Sequence, residues 1–188
     1  MNIIVIGGGA AGLMAAGTAA ENGARVTLFE TNEKVGRKLF ITGKGRCNVC
    51  NDCDVQGVLQ NVPVNPRFLY SALGCFSPAD VMAFFEGHGV LLKTERGNRV
   101  FPVSDKSADI IDALFTWVKR SGVTIVHETV ESLVLQDGKV AGVHARGRDY
   151  PADRVIVATG GASYPQTGST GDGYRFAKAA GHTVVPPN

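Results

Sequence analysis

Several features are scarce in these 188 residues, and each scarcity excludes a class of protein. No continuous apolar run reaches the ~18 residues of a membrane-spanning helix, so no membrane partner is expected. Neither sign of charge dominates: 19 Lys plus Arg against 17 Asp plus Glu leaves +2, with no acidic tail and no basic footprint for nucleic acid. Residues 1–6 are apolar but lack a basic leader and a cleavage site, so they do not read as a signal peptide and a cytoplasmic location is expected. There is no internal repeat and no low-complexity tract. His88, His127, His144 and His182 form no HExxH pair, and no Gly-x-Ser-x-Gly elbow is present. No catalytic acid, base or nucleophile is singled out.

Cysteine is also sparse: Cys47, Cys50, Cys53 and Cys75. The first three make C-x2-C-x2-C, a spacing that on its own invites an iron–sulfur or zinc site. A ferredoxin-type run would continue with C-x3-C-P, but Asp54-Val55-Gln56-Gly57 follows instead. Without an export signal, reduced free thiols and no metal are the expectation.

Glycine, by contrast, is abundant: 24 of 188, about 13% against a usual ~7%. The composition is otherwise that of a folded chain, 44% hydrophobic, so the excess points to backbone that approaches a ligand closely. The length fits one large domain, and residues 1–188 are read as one.

Residues 2–6 (NIIVI) form a short β-branched apolar run, the pattern of a strand buried on both faces of a parallel sheet. Gly7-Gly8-Gly9-Ala10-Ala11-Gly12 follows, then an Ala-rich helix over residues 13–22 stopped by Gly23, then a strand over residues 25–30. Residues 31–54 read as a long polar loop, of a length that is usually functional. Ser77-Pro78-Ala79-Asp80 opens a helix that ends near Gly87 and Gly89. A hairpin is expected over residues 90–103 and a helix from Ser104, with Ile110, Ile111, Leu114, Phe115 and Val118 as its core stripe. Residues 123–126, 130–136 and 139–146 read as strands, the last two joined at Asp137-Gly138. Residues 154–158 form another buried strand, and residues 174–180 a last short helix. The fold class is α/β: a Rossmann-like domain with a central parallel sheet, a three-strand meander and inserted helices.

Gly7-x-Gly9-x-x-Gly12 matches the dinucleotide fingerprint. Gly7 allows the tight turn, Gly9 the approach of a diphosphate, and Gly12 close packing of helix on strand. The helix start, with Ala10 and Ala11, supplies amide donors. Glu30 ends the second strand, where an acid accepts adenosine ribose hydroxyls and disfavours a 2′-phosphate. FAD is favoured over NAD because the motif lies at the start of the chain, no second fingerprint follows, and strand–helix alternation stops after Glu30.

Three longer strings carry a resemblance: residues 36–48 (GRKLFITGKGRCN), 96–102 (RGNRVFP) and 158–174 (ATGGASYPQTGSTGDGY). Together they resemble the bacterial and archaeal NAD(P)/FAD-dependent oxidoreductases of the 3-dehydro-bile-acid Δ4,6-reductase-like and aminoacetone-oxidase-like type, over essentially the whole chain. The resemblance implies FAD as cofactor. It places Arg37, Lys38, Lys44 and Arg46 as cations for a diphosphate or reduced flavin, with Gly43, Gly45 and Cys47 in the same loop. Cys47, beside Arg46, is expected to have a lowered pKa and to face the flavin. Val130 resembles the position whose main chain pairs with adenine, and Thr159, Gly160 and Gly161 the strand-end turn beside the cofactor. Asp172 is either a flavin or ribityl partner or the N-cap of the last helix. Family members are roughly twice as long, so the chain is expected to be an N-terminal portion that lacks an inserted domain and a C-terminal return segment.

The function these readings converge on is the FAD-binding portion of an oxidoreductase, with NAD(P)H as hydride donor and a small apolar or carbonyl-conjugated substrate. The alternatives are a non-catalytic ADP-binding module that needs a partner segment and, third, a fragment of an NAD-dependent dehydrogenase.

Overall fold

Asn2–Ile6 (β1) is extended because its β-branched residues pack on both faces of a sheet, and Val5 is fully buried there. It feeds α1 (Ala10–Glu21), which starts inside the glycine fingerprint rather than after it, and then β2 (Arg25–Phe29). The computed structural model describes residues 1–185; Pro186, Pro187 and Asn188, at the expected point of truncation, lie outside the described residues. The further elements are α2 (Arg37–Ile41), α3 (Val55–Gln60), α4 (Tyr70–Cys75), α5 (Pro78–Gly87), β3 (Leu92–Glu95), β4 (Arg99–Pro102) and α6 (Ser107–Arg120). After these come β5 (Thr124–Val126), β6 (Val130–Gln136), β7 (Lys139–Ala145), β8 (Arg148–Pro151), β9 (Arg154–Val157) and α7 (Asp172–Ala179).

The chain divides into two compact units, Met1–Lys38 with Leu114–Asn188, and Leu39–Ala113. In the first, a parallel sheet runs in the order β5-β2-β1-β9, with Ile6 opposite Phe29 on one side and Val157 on the other. The expected meander is present, but its strands differ from the three read in the sequence. Residues 124–126 pair in parallel with β2, and the meander is β6-β7-β8, its third strand coming from Arg148–Pro151. Ile4, Ile6 and Phe29 pack with Val130, Val143 and Ala145 of the meander and Phe176 of α7. α1 lies on the other face of the sheet: a Cβ at Gly17 would stand 2.3 Å from the Trp117 ring, whose Nε1–H donates to Glu21 Oε1 at 2.6 Å.

In the second unit, residues 49–52 run alongside β4 through Val49 N–H to Val100 O (2.9 Å) and Asp52 N–H to Asn98 O (2.7 Å). Helix α5 opens as expected, with Ser77 and Asp80 capping each other reciprocally. Two expectations change here. The helix expected from Ser104 begins at Ser107, because Asp105 is left-handed (φ 57°) and cannot continue a helical turn. The loop over residues 31–54 contains the short helix Arg37–Ile41 and a 3-10 turn at Thr42–Gly45. By length and composition Pro66–Gly87 is long and apolar enough to cross a membrane, contrary to the expectation from the sequence. Extended backbone at Phe76 and Ser77 nevertheless breaks it into separate helices.

Along α6 the buried stripe is Ile110, Ala113, Leu114, Trp117 and Val118, a regular i, i+3, i+4, i+7, i+8 face. Phe115, expected in the core, is 40% exposed because it falls off that face.

Candidate dinucleotide-binding site

The carboxyl ends of four parallel strands lead into the site: β1 into Gly7, β2 into Glu30, β5 into His127 and β9 into Ala158 and Thr159. In open parallel sheets ligands bind beyond these ends. Gly7 is left-handed (φ 103°), and its N–H donates to Phe29 O at 2.8 Å. A Cβ at Gly7 would lie 2.6 Å from the Ala158 carbonyl oxygen, and one at Gly12 would lie 1.8 Å from the Gly7 carbonyl oxygen. Any side chain at Gly12 would therefore force helix and turn apart. At Gly9, by contrast, a Cβ would meet nothing within 4 Å, so the backbone there borders open space. Gly9 is the N-cap of α1; no side chain caps it and no acid sits in the first turn. The first-turn amides, those of Ala10, Ala11 and Gly12 among them, have no intrahelical acceptors. With the helix dipole they make a seat for an anion.

Glu30 is buried (8% exposed) beside this seat. Its Oε2 accepts the Gly8 N–H at 2.7 Å, and its Oε1 accepts the Asn32 N–H at 2.7 Å and Asn32 Nδ2–H at 2.6 Å. Asn32 Oδ1 in turn accepts from Arg37 Nη1 at 2.7 Å, and Gly36 N–H returns to Gly8 O at 2.8 Å. Lys38 Nζ donates to Ser163 O at 3.0 Å. The acid, the glycine turn and Arg37 of the GRK string are thus joined in one hydrogen-bonded ring, while Lys38 reaches the loop after β9 instead.

Thr159 Oγ1 is buried and has no hydrogen-bond partner among the described residues, beside the start of α7, where a Cβ at Gly173 would come within 3.0 Å of it. Gly161 O accepts the Gly171 N–H at 3.1 Å, and Gly160 is left-handed (φ 75°) with a Cβ position 2.8 Å from Ser169 Oγ. The N-cap of α7 is Gly171, not Asp172. The Asp172 carboxyl is held below the usual carboxylate range by the Thr170 hydroxyl at 2.6 Å and by Arg175 at 2.9 Å. Val130 is buried at the start of β6, opposite Ala145.

Gly43, Gly45, Arg46 and Cys47 belong to the second unit. There the guanidinium of Arg46 donates to Glu95 at 2.9 Å and Asp105 at 3.2 Å and stacks 4.0 Å from the centre of the Phe101 ring. Lys93 closes the network on Asp105 at 2.7 Å. Cys47 is 1% exposed, and burial pushes its thiol up, the reverse of the lowered pKa expected from its neighbour Arg46. The Arg46 charge goes to carboxylates instead. Burial, then Asp52, pushes the Cys50 thiol up to about 11. All four cysteines are free thiols, and among the described residues no three His, Cys, Asp or Glu side chains converge as metal ligands.

Sequence reading missed Gly8, Asn32 and Gly36. An Asn two residues beyond an acidic strand end, followed by the Gly36-Arg37 pair, is the signal in the sequence.

The residues present fit an adenine dinucleotide: an uncapped helix start facing open space, a buried acid with a spare lone pair beside it, and an orphaned hydroxyl at the neighbouring strand end. Comparison with known proteins agrees. A 3-dehydro-bile acid Δ(4,6)-reductase from Clostridium scindens is 36% identical over 185 residues, covering 97% of this chain and 44% of that protein. A ribosomal RNA dihydrouridine synthase from Escherichia coli is 31% identical over 183 residues, covering 97% and 45%. The chain thus spans less than half the length of these curated relatives. Among solved structures, Mycobacterium smegmatis Sdh1 in complex with UQ1 matches 95% of this chain and 38% of its own at a TM-score of 0.71 and 22% identity. L-proline dehydrogenase from P. horikoshii matches 99% and 57% at 0.63 and 15%, a likeness of fold. The profile of the HI0933-like protein Rossmann domain matches residues 1–188, so the chain belongs to that family and carries its FAD-binding Rossmann fold.

Proposed function

We propose that this chain is the carrier-holding part of an enzyme that moves hydride from NAD(P)H through FAD to a small apolar, carbonyl-conjugated substrate. One observation supports the reading: the acid-free start of α1 and the buried Glu30 carboxylate are joined through the Gly8 amide, an arrangement suited to a diphosphate beside a ribose. When bound, FAD supplies hydride transfer, and the protein orients it. In this proposal the amides of Gly9, Ala10 and Ala11 hold the diphosphate, and Glu30 accepts a ribose hydroxyl. The main chain of Val130 meets adenine, Thr159 Oγ1 gains the partner it lacks, and Arg37 and Lys38 add positive charge at the turn. Relatives named for a bile acid, for ribosomal RNA and for L-aspartate all match this same portion, which supports a carrier-holding role with the substrate chosen elsewhere.

Two readings of the substrate have support. The bile-acid reductase is the more similar relative, and the balanced charge favours a small molecule; the dihydrouridine synthases favour a nucleobase in RNA. The test begins with an absorbance spectrum of the purified chain mixed with FAD. A protein-bound flavin band near ~450 nm, bleached anaerobically by NADH or NADPH, is the expected result. Binding of ADP without FAD uptake would favour the non-catalytic module instead. Binding of neither would remove the site. Electrophoretic retardation of ribosomal RNA would decide for the nucleobase reading.

A further inference from the structure

Glu30 alone would repel a phosphate on the adenosine 2′ oxygen, whereas a guanidinium free to reach that position would welcome it. This chain has both, since Arg37 shares a ring of hydrogen bonds with Glu30. Between them stands Asn32. Its amide uses both ends at once: Nδ2–H donates to Glu30 Oε1 at 2.6 Å, and Oδ1 accepts from Arg37 Nη1 at 2.7 Å. Only an amide fits this place. A carboxylate would oppose Glu30, and an alkyl group would leave the acid short of a donor and the cation untethered.

Two main-chain contacts hold the Asn32 backbone in place, and a third packs its amide. The Asn32 backbone N–H also donates to Oε1 at 2.7 Å. The Asn32 carbonyl oxygen meets His127 Nδ1 at 2.8 Å. A Cβ at Gly168 would lie 3.1 Å from Asn32 Nδ2, so the amide is packed against that backbone. Oε1 thereby takes two donors while Oε2 takes only the Gly8 amide, which leaves Oε2 as the oxygen with capacity for a ribose hydroxyl.

We infer that Asn32 determines specificity at the ribose: by tethering the Arg37 guanidinium to its own amide it denies a 2′-phosphate the cation that would offset Glu30. The inference rests on the dinucleotide-site reading and extends it to a residue outside the glycine fingerprint.

The test is calorimetric titration of the full 188-residue chain with ADP-ribose and with its 2′-phosphate. Wild type should prefer the unphosphorylated ligand. In Asn32→Ala the preference should shrink about tenfold, the gain of one charge-assisted contact, and Asn32→Ser should shift it in the same direction. Asn32→Ala combined with Arg37→Ala should restore rejection of the phosphate. If the single variants weaken both ligands by the same factor, Asn32 is a structural prop and the inference is overturned. If wild type binds neither ligand, the site reading itself fails, a different outcome from a binding protein whose preference does not move.

Discussion

The arginines of the two basic strings, Arg37 in the first compact unit and Arg46 in the second, meet opposite fates. In the second unit the Arg46 and Lys93 charges are neutralised by Glu95 and Asp105, all four within one salt-bridge network. In the first unit the start of α1 has neither a side-chain cap nor a first-turn acid, Thr159 Oγ1 has no partner among the described residues, and the Arg37 guanidinium is bonded to a neutral amide rather than a carboxylate. The difference separates a string whose charge is matched by acids from one beside a turn that leaves donors for a ligand. Count of positive charge is no guide, because the GRK and GKGR strings look alike on paper. What matters is whether an acid from elsewhere in the chain reaches them.

Perturbing each region should sharpen that contrast. The largest effect is expected from Gly12→Val, whose Cβ would overlap the Gly7 carbonyl oxygen. A loss of about 3 kcal/mol or more in urea unfolding, together with loss of ADP binding, is expected. A variant of normal stability would mean that the turn is not packed as described. Next, the Cys50 thiol, pushed up to about 11, should alkylate at pH 8 about tenfold more slowly than an unshifted thiol, the scarcer thiolate being partly offset by its greater nucleophilicity. The exposed Cys75 should be labelled first and the buried Cys47 should lag, as peptide mass mapping over time would show. Early labelling of Cys47 would contradict its burial.

Glu30→Gln should weaken ADP binding about tenfold or more, because its amide oxygen can still accept from Gly8 but carries no charge and its NH2 faces the Asn32 donors. Unchanged affinity would show that the ribose does not use this carboxylate. The smallest effect belongs to the second unit. Glu95, chiefly through its hydrogen bond with Arg46, and Asp105, chiefly through Lys93, have carboxyl pKa values below the ordinary range. Lowered folded values mean that their stabilisation is present above the unfolded carboxylate range and is lost as pH falls through the lowered values, below about pH 4. Protection of the β4 amides relative to their intrinsic exchange rate should fall there, and Arg46→Gln should flatten that dependence. A flat profile in the wild type would show that the network contributes nothing.

Local patterns proved readable where the residues themselves dictate the backbone. The fingerprint glycines, the reciprocal cap of Ser77 and Asp80, and the left-handed pair Asp137 and Gly138 between β6 and β7 all occur where the sequence places them. Strand membership was less readable. Residues 124–126 and 148–151 are short, and nothing local tells a three-residue run which sheet edge will accept it. The ring through Asn32 was invisible for a related reason: its members are spread from Gly8 to Arg37 and meet only because β1 and β2 lie side by side.

From sequence alone came the α/β class, the dinucleotide turn and the acid at the end of β2, because each depends on steric and hydrogen-bonding needs within a few neighbouring residues. Tertiary structure decided which cations are already matched by acids, which thiols are buried, and which hydroxyl is left without a partner. Those depend on contacts between segments far apart in the chain, and the energy of a buried polar group is set by what the fold brings within about 3 Å of it.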